Sequence, residues 1–373
     1  MTKHAKLKCA LVGYGYWGRN VLKALCNQHR FCLKGVYDSD RVQLQAALSD
    51  FATLTKSVHL ANKHTTKNAN PKSTAQSQNP HTKNKDLPTQ NKPQNPPQNP
   101  LIAYTSYDEI LRDDEIEAVF IITPPHTHFP LASLALEAGK HAFVEKPLAR
   151  STSEVCALYE IASRQNLTLH CDHIFLYSPA VVWLKDNLAS FGDILYVQAR
   201  RINLGLFQNS VNVIWDLALH DLSILDFLFG LEILSHSLVS RRYEGFEALA
   251  NIQLECKRFS ANLTASWLSP IKVREMMIGG TQKTAIYDET KERKIALFDC
   301  GVVVSDSVEK SSLYQKMVRY HLGEVSYPML DDELPLDSSI RAFGEQICRG
   351  GSDKWLQEHI LRVVDALERI CKK

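Results

Sequence analysis

At 373 residues, 45% hydrophobic and 23% charged, the chain has an ordinary globular composition and is long for one core, so two packed domains are expected. A net charge of +2 gives no electrostatic case for nucleic acid or an anionic membrane surface as a partner. Nine cysteines without a CxxC pair argue against a disulfide framework or a zinc site and for a reducing, cytoplasmic compartment.

The N-terminal lysines of Met1–Lys8 run directly into a strand and a glycine loop, so no signal peptide is expected. No apolar run reaches the roughly 18 residues that cross a bilayer.

In chain order, Leu7–Val12 predicts a strand and Trp17–Gln28 a helix with Val21, Leu22 and Leu25 on one face. Phe31–Tyr37 predicts a second strand, followed by a helix from Asp40 to Phe51. Past Lys56 the composition changes: residues 57–100 hold seven of the fifteen prolines, six lysines against one acid, no glycine and no aromatic residue. Such a segment cannot bury enough apolar surface to offset its ordering entropy, so it is expected to be a disordered surface insertion. Tyr107–Arg112 then predicts a short helix, Ala118–Ile122 a buried strand, His128–Ala138 a helix and His141–Glu145 another strand. Ser151–Gln165 carries the Ser151/Glu154 capping-box signature, and Leu167–Cys171 predicts a sixth strand. This alternation predicts an α/β fold, a doubly wound parallel sheet of the Rossmann kind, over about residues 1–150.

The second part, residues 151–373, is expected to be an α+β domain with a large, open, mainly antiparallel sheet. Its strands are read at Ile194–Asn203, Leu231–Tyr243, Ala248–Cys256, Ala261–Trp267, Val273–Gly279 and Thr284–Tyr287. Trp215–Phe229 has helical spacing, and the chain closes with helices at Ser338–Arg349 and Trp355–Lys372. A sheet with one uncovered face suggests a homodimer or homotetramer.

Four segments carry chemistry. Gly13-Tyr14-Gly15-Tyr16-Trp17-Gly18 follows a strand and opens a helix, the context in which GxGxxG lays a dinucleotide pyrophosphate on a helix N-terminus. Asp38, twenty residues beyond Gly18, can accept both hydroxyls of an adenosine ribose; that favours NAD, with NADP kept open by Arg41. Thr123-Pro124-Pro125-His126-Thr127-His128 and Glu145-Lys146-Pro147 lie at carboxyl ends of strands, where ligands of such sheets bind. The former can wall the cofactor, and Lys146 can donate to a reacting hydroxyl. Asp216 and His220 are four apart on a helix, where a carboxylate could orient an imidazole as a general base. The blander readings are a plain βαβ turn, a surface lysine and a core histidine. No histidine has further ligands at metal-binding spacing.

Taken together these motifs resemble the glucose–fructose oxidoreductase/inositol dehydrogenase family, often written Gfo/Idh/MocA. The resemblance covers nearly the whole chain outside the Lys56–Pro100 insertion. It implies an NAD(P)-dependent sugar dehydrogenase in which Lys146, Asp216 and His220 form the catalytic trio. It further implies that Gly13, Gly15, Tyr16, Trp17, Gly18, Asp38, Thr123, Pro124, His128, Glu145 and Lys146 hold the cofactor. Lys146, Tyr177, Asn203, Trp215, Asp216 and His220 would meet the sugar.

The stretches His173–Pro179, Asn203–Phe207 and Asn212–Asp216 look like a bacterial branch associated with surface-polysaccharide synthesis. Some of its relatives act on the 3-hydroxyl of UDP-N-acetylhexosamines or their uronic acids, which implies a nucleotide-linked sugar as substrate. Relatives usually have proline where Leu219 stands, a departure beside the expected catalytic histidine. A dehydrogenase of free sugars or cyclitols, a non-catalytic NAD(H) sensor and a tethering role for the insertion are the alternatives.

Overall fold

The computed structural model describes residues 6–66, 100–205, 207, 210–304 and 318–372, with side chains described outside 57–66 and 302–322. Most of the expected disordered insertion lies outside the described residues. The chain divides into two compact units, Met1–Ile122 and Thr123–Lys373.

The first unit contains β1 (Leu7–Val12), α1 (Gly18–Asn27), β2 (Phe31–Tyr37), α2 (Arg41–Thr66), β3 (Ile102–Ala103), α3 (Tyr107–Arg112) and β4 (Ala118–Ile121). Its strands are parallel in the order β3-β2-β1-β4. Strand β1 lies between β2 and β4 with Cys9 to Val12 buried, and α1 buries Val21, Leu22, Ala24 and Leu25. Each such aliphatic side chain contributes about 1.5–3 kcal/mol when fully buried. The register pairs Val12 with Tyr37, so the residues that follow, Gly13 and Asp38, emerge side by side. Helix α2 extends beyond the expected end at Phe51.

The second unit begins with α4 (His128–Glu137), β5 (His141–Glu145), α5 (Thr152–Arg164) and β6 (Leu169–Asp172). Strands β5 and β6 are parallel, with Glu145 paired to Asp172 at their carboxyl ends. Ser151 accepts from the Glu154 backbone N–H at 3.2 Å, and the Glu154 carboxylate accepts from Arg150 N at 2.9 Å, so the expected cap forms. Then follow α6 (Pro179–Asn187), β7 (Ile194–Leu204), α7 (Leu219–Phe229), β8 (Ile233–Tyr243), β9 (Phe246–Cys256), β10 (Ser260–Ser266), β11 (Leu268–Gly280), β12 (Thr284–Asp288), β13 (Ile295–Val304), β14 (Val318–Ser326), α8 (Pro335–Arg349) and α9 (Lys354–Cys371).

Strands β7 to β14 form one sheet in the order β14-β13-β12-β11-β7-β10-β9-β8. Only the β7–β10 pair is parallel, so the expected mainly antiparallel sheet is present. Strand β9 alternates buried and exposed residues along most of its length, the pattern of a sheet covered on one face. Its buried residues, Ala248, Ala250, Ile252 and Leu254, pack with residues of α6, α7 and α9 in one core.

The expected helix Trp215–Phe229 is two structures. Ile214–Ala218 is a π-turn, and α7 proper begins at Leu219. The Leu219 backbone N–H donates to the Ile214 carbonyl, a bond that proline at this position could not make.

Candidate active site

In the first unit the glycine loop is held by its neighbours. Gly13 has φ of 94°, which a side chain would resist, and its N–H donates to the Tyr37 carbonyl at 2.9 Å. A Cβ on Gly18 would lie 2.6 Å from the Gly13 carbonyl oxygen, whereas Gly15 has open space around it. Asp38 accepts from Tyr14 N at 2.6 Å through one carboxylate oxygen and from Asp40 N at 2.8 Å through the other. It therefore sits against the loop, while Asp40 caps the start of α2 by accepting from Val42 N.

Tyr16 is exposed, and the Trp17 indole nitrogen is buried without a partner among the described residues. An open glycine cradle, an adjacent carboxylate and an orphaned indole N–H fit a dinucleotide. Gly18→Ala should lower NAD affinity at least about tenfold, because the methyl group meets backbone that cannot swing away; equilibrium binding of NAD measures it.

In the second unit Lys146 directly follows the end of β5, and its peptide bond to Pro147 is cis. Its ammonium donates to the Asp216 carbonyl at 2.9 Å and to the Asp216 carboxylate at 3.1 Å. The other carboxylate oxygen accepts from the Trp267 indole N–H at 2.9 Å. The expected Asp216–His220 pairing is thereby corrected. The π-turn carries Asp216, and both its carboxylate oxygens are engaged by Lys146 and Trp267.

His220 is packed instead by Phe175, whose ring lies 5.0 Å away in an edge-on contact, and Arg201 lies over that same Phe175 ring at 4.5 Å. Burial, then the charges of Lys146, Arg201, Arg274 and His173, pull the His220 pKa well below the usual histidine range. The ring is neutral at physiological pH and carries a lone pair that can accept a proton.

Glu145 shows the opposite response. Burial raises its carboxyl to about 8, helped by Asp172 and Asp216 and opposed by Lys146. Its Oε2 is buried without a partner among the described residues. The shift favours the protonated carboxyl, the form that can donate a hydrogen bond.

His128, expected at the cofactor, has both ring nitrogens 2.7 Å from backbone carbonyls, those of Pro147 and Thr123. Burial outweighs those carbonyls and lowers its pKa. Both nitrogens face backbone carbonyls of the Thr123 and Pro147 turns, and the neutral ring donates its single N–H to one of them, so the ring is turned into the protein. Thr123 Oγ1 accepts from the Thr127 hydroxyl at 2.7 Å, and Pro124 precedes the 3₁₀ turn Pro125–Thr127. Tyr177 ends the 3₁₀ turn Ile174–Tyr177 and lies near the His170 ring. Asn203, in β7, has a buried Oδ1 without a partner among the described residues. Trp215 precedes Asp216 on the π-turn.

Sequence reasoning missed Trp267, Phe175, Arg201 and Asp221. Arg201 forms two hydrogen bonds to Asp221, at 2.9 and 3.0 Å, with both side chains buried, and reaches Glu289 at 3.3 Å. A buried tryptophan N–H usually takes an acceptor, which was the available signal for Trp267. It missed a second cluster too. The Ser223 hydroxyl lies 2.9 Å from His173 Nδ1 and 3.0 Å from His359 Nε2, and His359 Nδ1 lies 2.6 Å from Asp226. This order of serine, histidine and aspartate matches that of a hydrolase relay, but Ser223 is only 1% exposed, so no substrate reaches it. The cluster holds α7 and α9 together.

An α/β unit with a dinucleotide cradle is followed in the chain by an α+β unit bearing a lysine–aspartate pair and a depressed-pKa histidine. Residues 7–173 match the family described as "Oxidoreductase family, NAD-binding Rossmann fold". UDP-N-acetylglucosamine 3-dehydrogenase of Acidithiobacillus ferrooxidans is 38% identical over 133 residues, 35% of this chain and 41% of that protein. The chain thus matches about two fifths of the length of that curated relative. A solved structure of UDP-N-acetylglucosamine 3-dehydrogenase from the same organism superposes with a TM-score of 0.69 at 22% identity, covering 98% of this chain and 97% of that one. A 3-ketoreductase from Actinomadura kijaniata, solved with NADP, superposes with a TM-score of 0.69 at 16% identity and the same coverage. These two likenesses establish the fold. Among the described residues no helix is long and apolar enough to cross a membrane.

Proposed function

We propose that the chain is a cytoplasmic, homo-oligomeric NAD(P)-dependent dehydrogenase that oxidises a ring hydroxyl of a sugar. The sugar is an amino sugar or its uronic acid, linked to a nucleotide and used in surface-polysaccharide synthesis. The observation that carries this reading is the Lys146 ammonium, fixed on Asp216 at the end of β5 in the same unit as a neutral His220. The names of the relatives, a nucleotide-sugar 3-dehydrogenase and a 3-ketoreductase, support the substrate class.

In the first unit Gly13, Gly15, Tyr16, Trp17 and Gly18 would hold the cofactor's diphosphate and Asp38 its adenosine ribose, which favours NAD because a carboxylate repels a 2′-phosphate. In the second unit Thr123, Pro124 and Glu145 are the residues we assign to it. When bound, the nicotinamide supplies a two-electron acceptor for the hydrogen leaving the ring carbon. His220 takes the hydroxyl proton. Lys146 donates a hydrogen bond to the same oxygen and stabilises the negative charge that develops there. Asp216 and Trp267 keep the ammonium in place, a holding role for the carboxylate in place of orienting the imidazole. Trp215, Tyr177 and Asn203 line the approach of the sugar in this reading.

Purified protein, NAD and a carbonyl trap, tested against UDP-N-acetylhexosamines, their uronic acids, free sugars and inositols, should give NADH with a nucleotide sugar. His220→Ala should reduce that rate by about 10²–10⁴-fold. Since the neutral ring is the active form and its pKa is depressed, kcat/KM should hold as pH falls through the ordinary histidine value near ~6.5. A loss of activity centred at that value would contradict the assignment. NADH formed only from free sugars or inositols would overturn the substrate class.

A further inference from the structure

The unit that holds the Lys146–Asp216 pair also has a cavity of about 570 Å³, lined in part by Arg150, Asn212, Trp215, Arg242, Glu244 and Glu247. Three of these residues adjoin the pair in the chain. Arg150 lies four residues after Lys146, while Asn212 and Trp215 lie four and one before Asp216. The wall is firmly tied to the pair. Asn212 Nδ2 donates to Glu247 at 2.7 Å, and its Oδ1 accepts from the backbone N–H groups of Ile214 and Trp215. The remaining wall is the two-residue turn between β8 and β9, with Glu244 at φ 49° and Gly245 at φ 83°, a tight turn that fixes where Glu244 is carried.

Arg150 and Arg242 are exposed, and neither guanidinium meets a carboxylate among the described residues. We propose that this cavity is the subsite for the nucleoside diphosphate carried by the sugar. The inference rests on the sugar-dehydrogenase reading and adds the carrier's place to it. Two unpaired guanidiniums suit two phosphates, each of which an arginine can bind through a planar fork of donors. Carboxylates such as Glu244 and Glu247 accept from ribose hydroxyls, and an indole such as Trp215 offers a face to a planar base. The volume falls within the roughly 300–1,000 Å³ of small-molecule sites. A neutral free sugar would bring no phosphate to either guanidinium, whereas a nucleoside diphosphate brings two.

The test is calorimetric titration of the full-length protein, saturated with NAD, using UDP, dTDP, uridine and pyrophosphate as probes. The Arg150→Ala/Arg242→Ala double variant should bind the nucleoside diphosphate at least about tenfold more weakly than the unaltered protein. Uridine affinity should change by less than ~twofold, since it brings no phosphate to the arginines. The Arg150→Lys/Arg242→Lys variant, which keeps the charges and loses the forks, should fall between.

Unchanged nucleotide affinity in the double alanine variant, with NAD still bound, overturns the assignment. So does pyrophosphate binding as tightly as UDP or dTDP, which would make the cavity a site for anions alone. Turnover of nucleotide sugars measured in parallel separates the two levels. If turnover persists while the nucleotide affinity is unmoved, the cavity assignment alone is lost. If neither UDP nor dTDP binds and only free sugars are oxidised, the nucleotide-sugar reading is lost with it.

Discussion

Replacing Lys146 by methionine should lower kcat by about 10²–10⁴-fold and leave NAD affinity within a few-fold of the unaltered protein. Methionine preserves much of the length and apolar stem but removes the ammonium. The oxygen of the departing hydroxyl then loses its donor at the moment charge builds on it. Because that interaction grows in the transition state, the loss should fall on kcat more than on KM. The same substitution leaves the half-buried Asp216 carboxylate with Trp267 as its remaining side-chain donor. Lys146→Arg should recover part of the rate, limited by the bulkier fork. Steady-state kinetics on a nucleotide sugar measures the effect, and a Lys146→Met protein within tenfold of normal kcat would remove lysine from the chemistry.

Asp226→Ala should destabilise the fold by about 3–5 kcal/mol. Asp226 accepts from Arg362 at 2.7 and 3.0 Å and from Leu231 N at 3.0 Å, and lies 2.6 Å from His359, with its side chain fully buried. Removing it strands His359 and the inner end of Arg362 in the interface between α7 and α9. Burial alone would raise the Asp226 carboxyl, but hydrogen bonds from His359 and Arg362, with their charges, outweigh it and hold the pKa at about 2.

A depressed carboxylate pKa stabilises the fold above its unfolded value near 3.8 and loses that contribution as pH falls through about 2. The contribution amounts to about 2–3 kcal/mol. Denaturant unfolding from pH 6 downward checks this: the unaltered protein should lose stability below roughly pH 4, and Asp226→Ala should show a shallower decline. Equal slopes would mean that other carboxylates govern the acid limb.

The first unit was legible in the sequence because its signals are local. A buried strand, a glycine loop and a helix follow one another within Leu7–Asn27, and parallel pairing with β2 then places Asp38 beside the loop without further information. The mainly antiparallel sheet was legible from the alternation in strands such as β9. Strands β13 and β14 were not foreseen.

The site itself was only half legible. Lys146, Asp216 and His220 were named from motif and spacing, but the partner of Asp216 was not. Spacing of four implies a shared face only on a regular α-helix, and a π-turn at Ile214–Ala218 breaks that premise. The actual partners, Lys146 and Trp267, lie 70 and 51 residues away in sequence. Long-range pairing of that kind is fixed by how strands and helices pack, which a local pattern does not encode. The same holds for Arg201 and Asp221 and for the His173–Ser223–His359–Asp226 cluster. His128 shows the converse: a histidine in a motif segment can be wholly occupied by backbone carbonyls.

If a ring carbon of a nucleotide sugar gives up its hydrogen to bound NAD, that hydrogen can be followed. Mass spectrometry of the NADH formed from a UDP-N-acetylhexosamine deuterated at its ring carbons follows it most directly. A single deuterium should appear in the nicotinamide, and its rate of appearance should collapse in His220→Ala and Lys146→Met. Unlabelled NAD recovered after prolonged incubation of protein that binds both NAD and the nucleotide sugar would contradict the proposed hydride transfer.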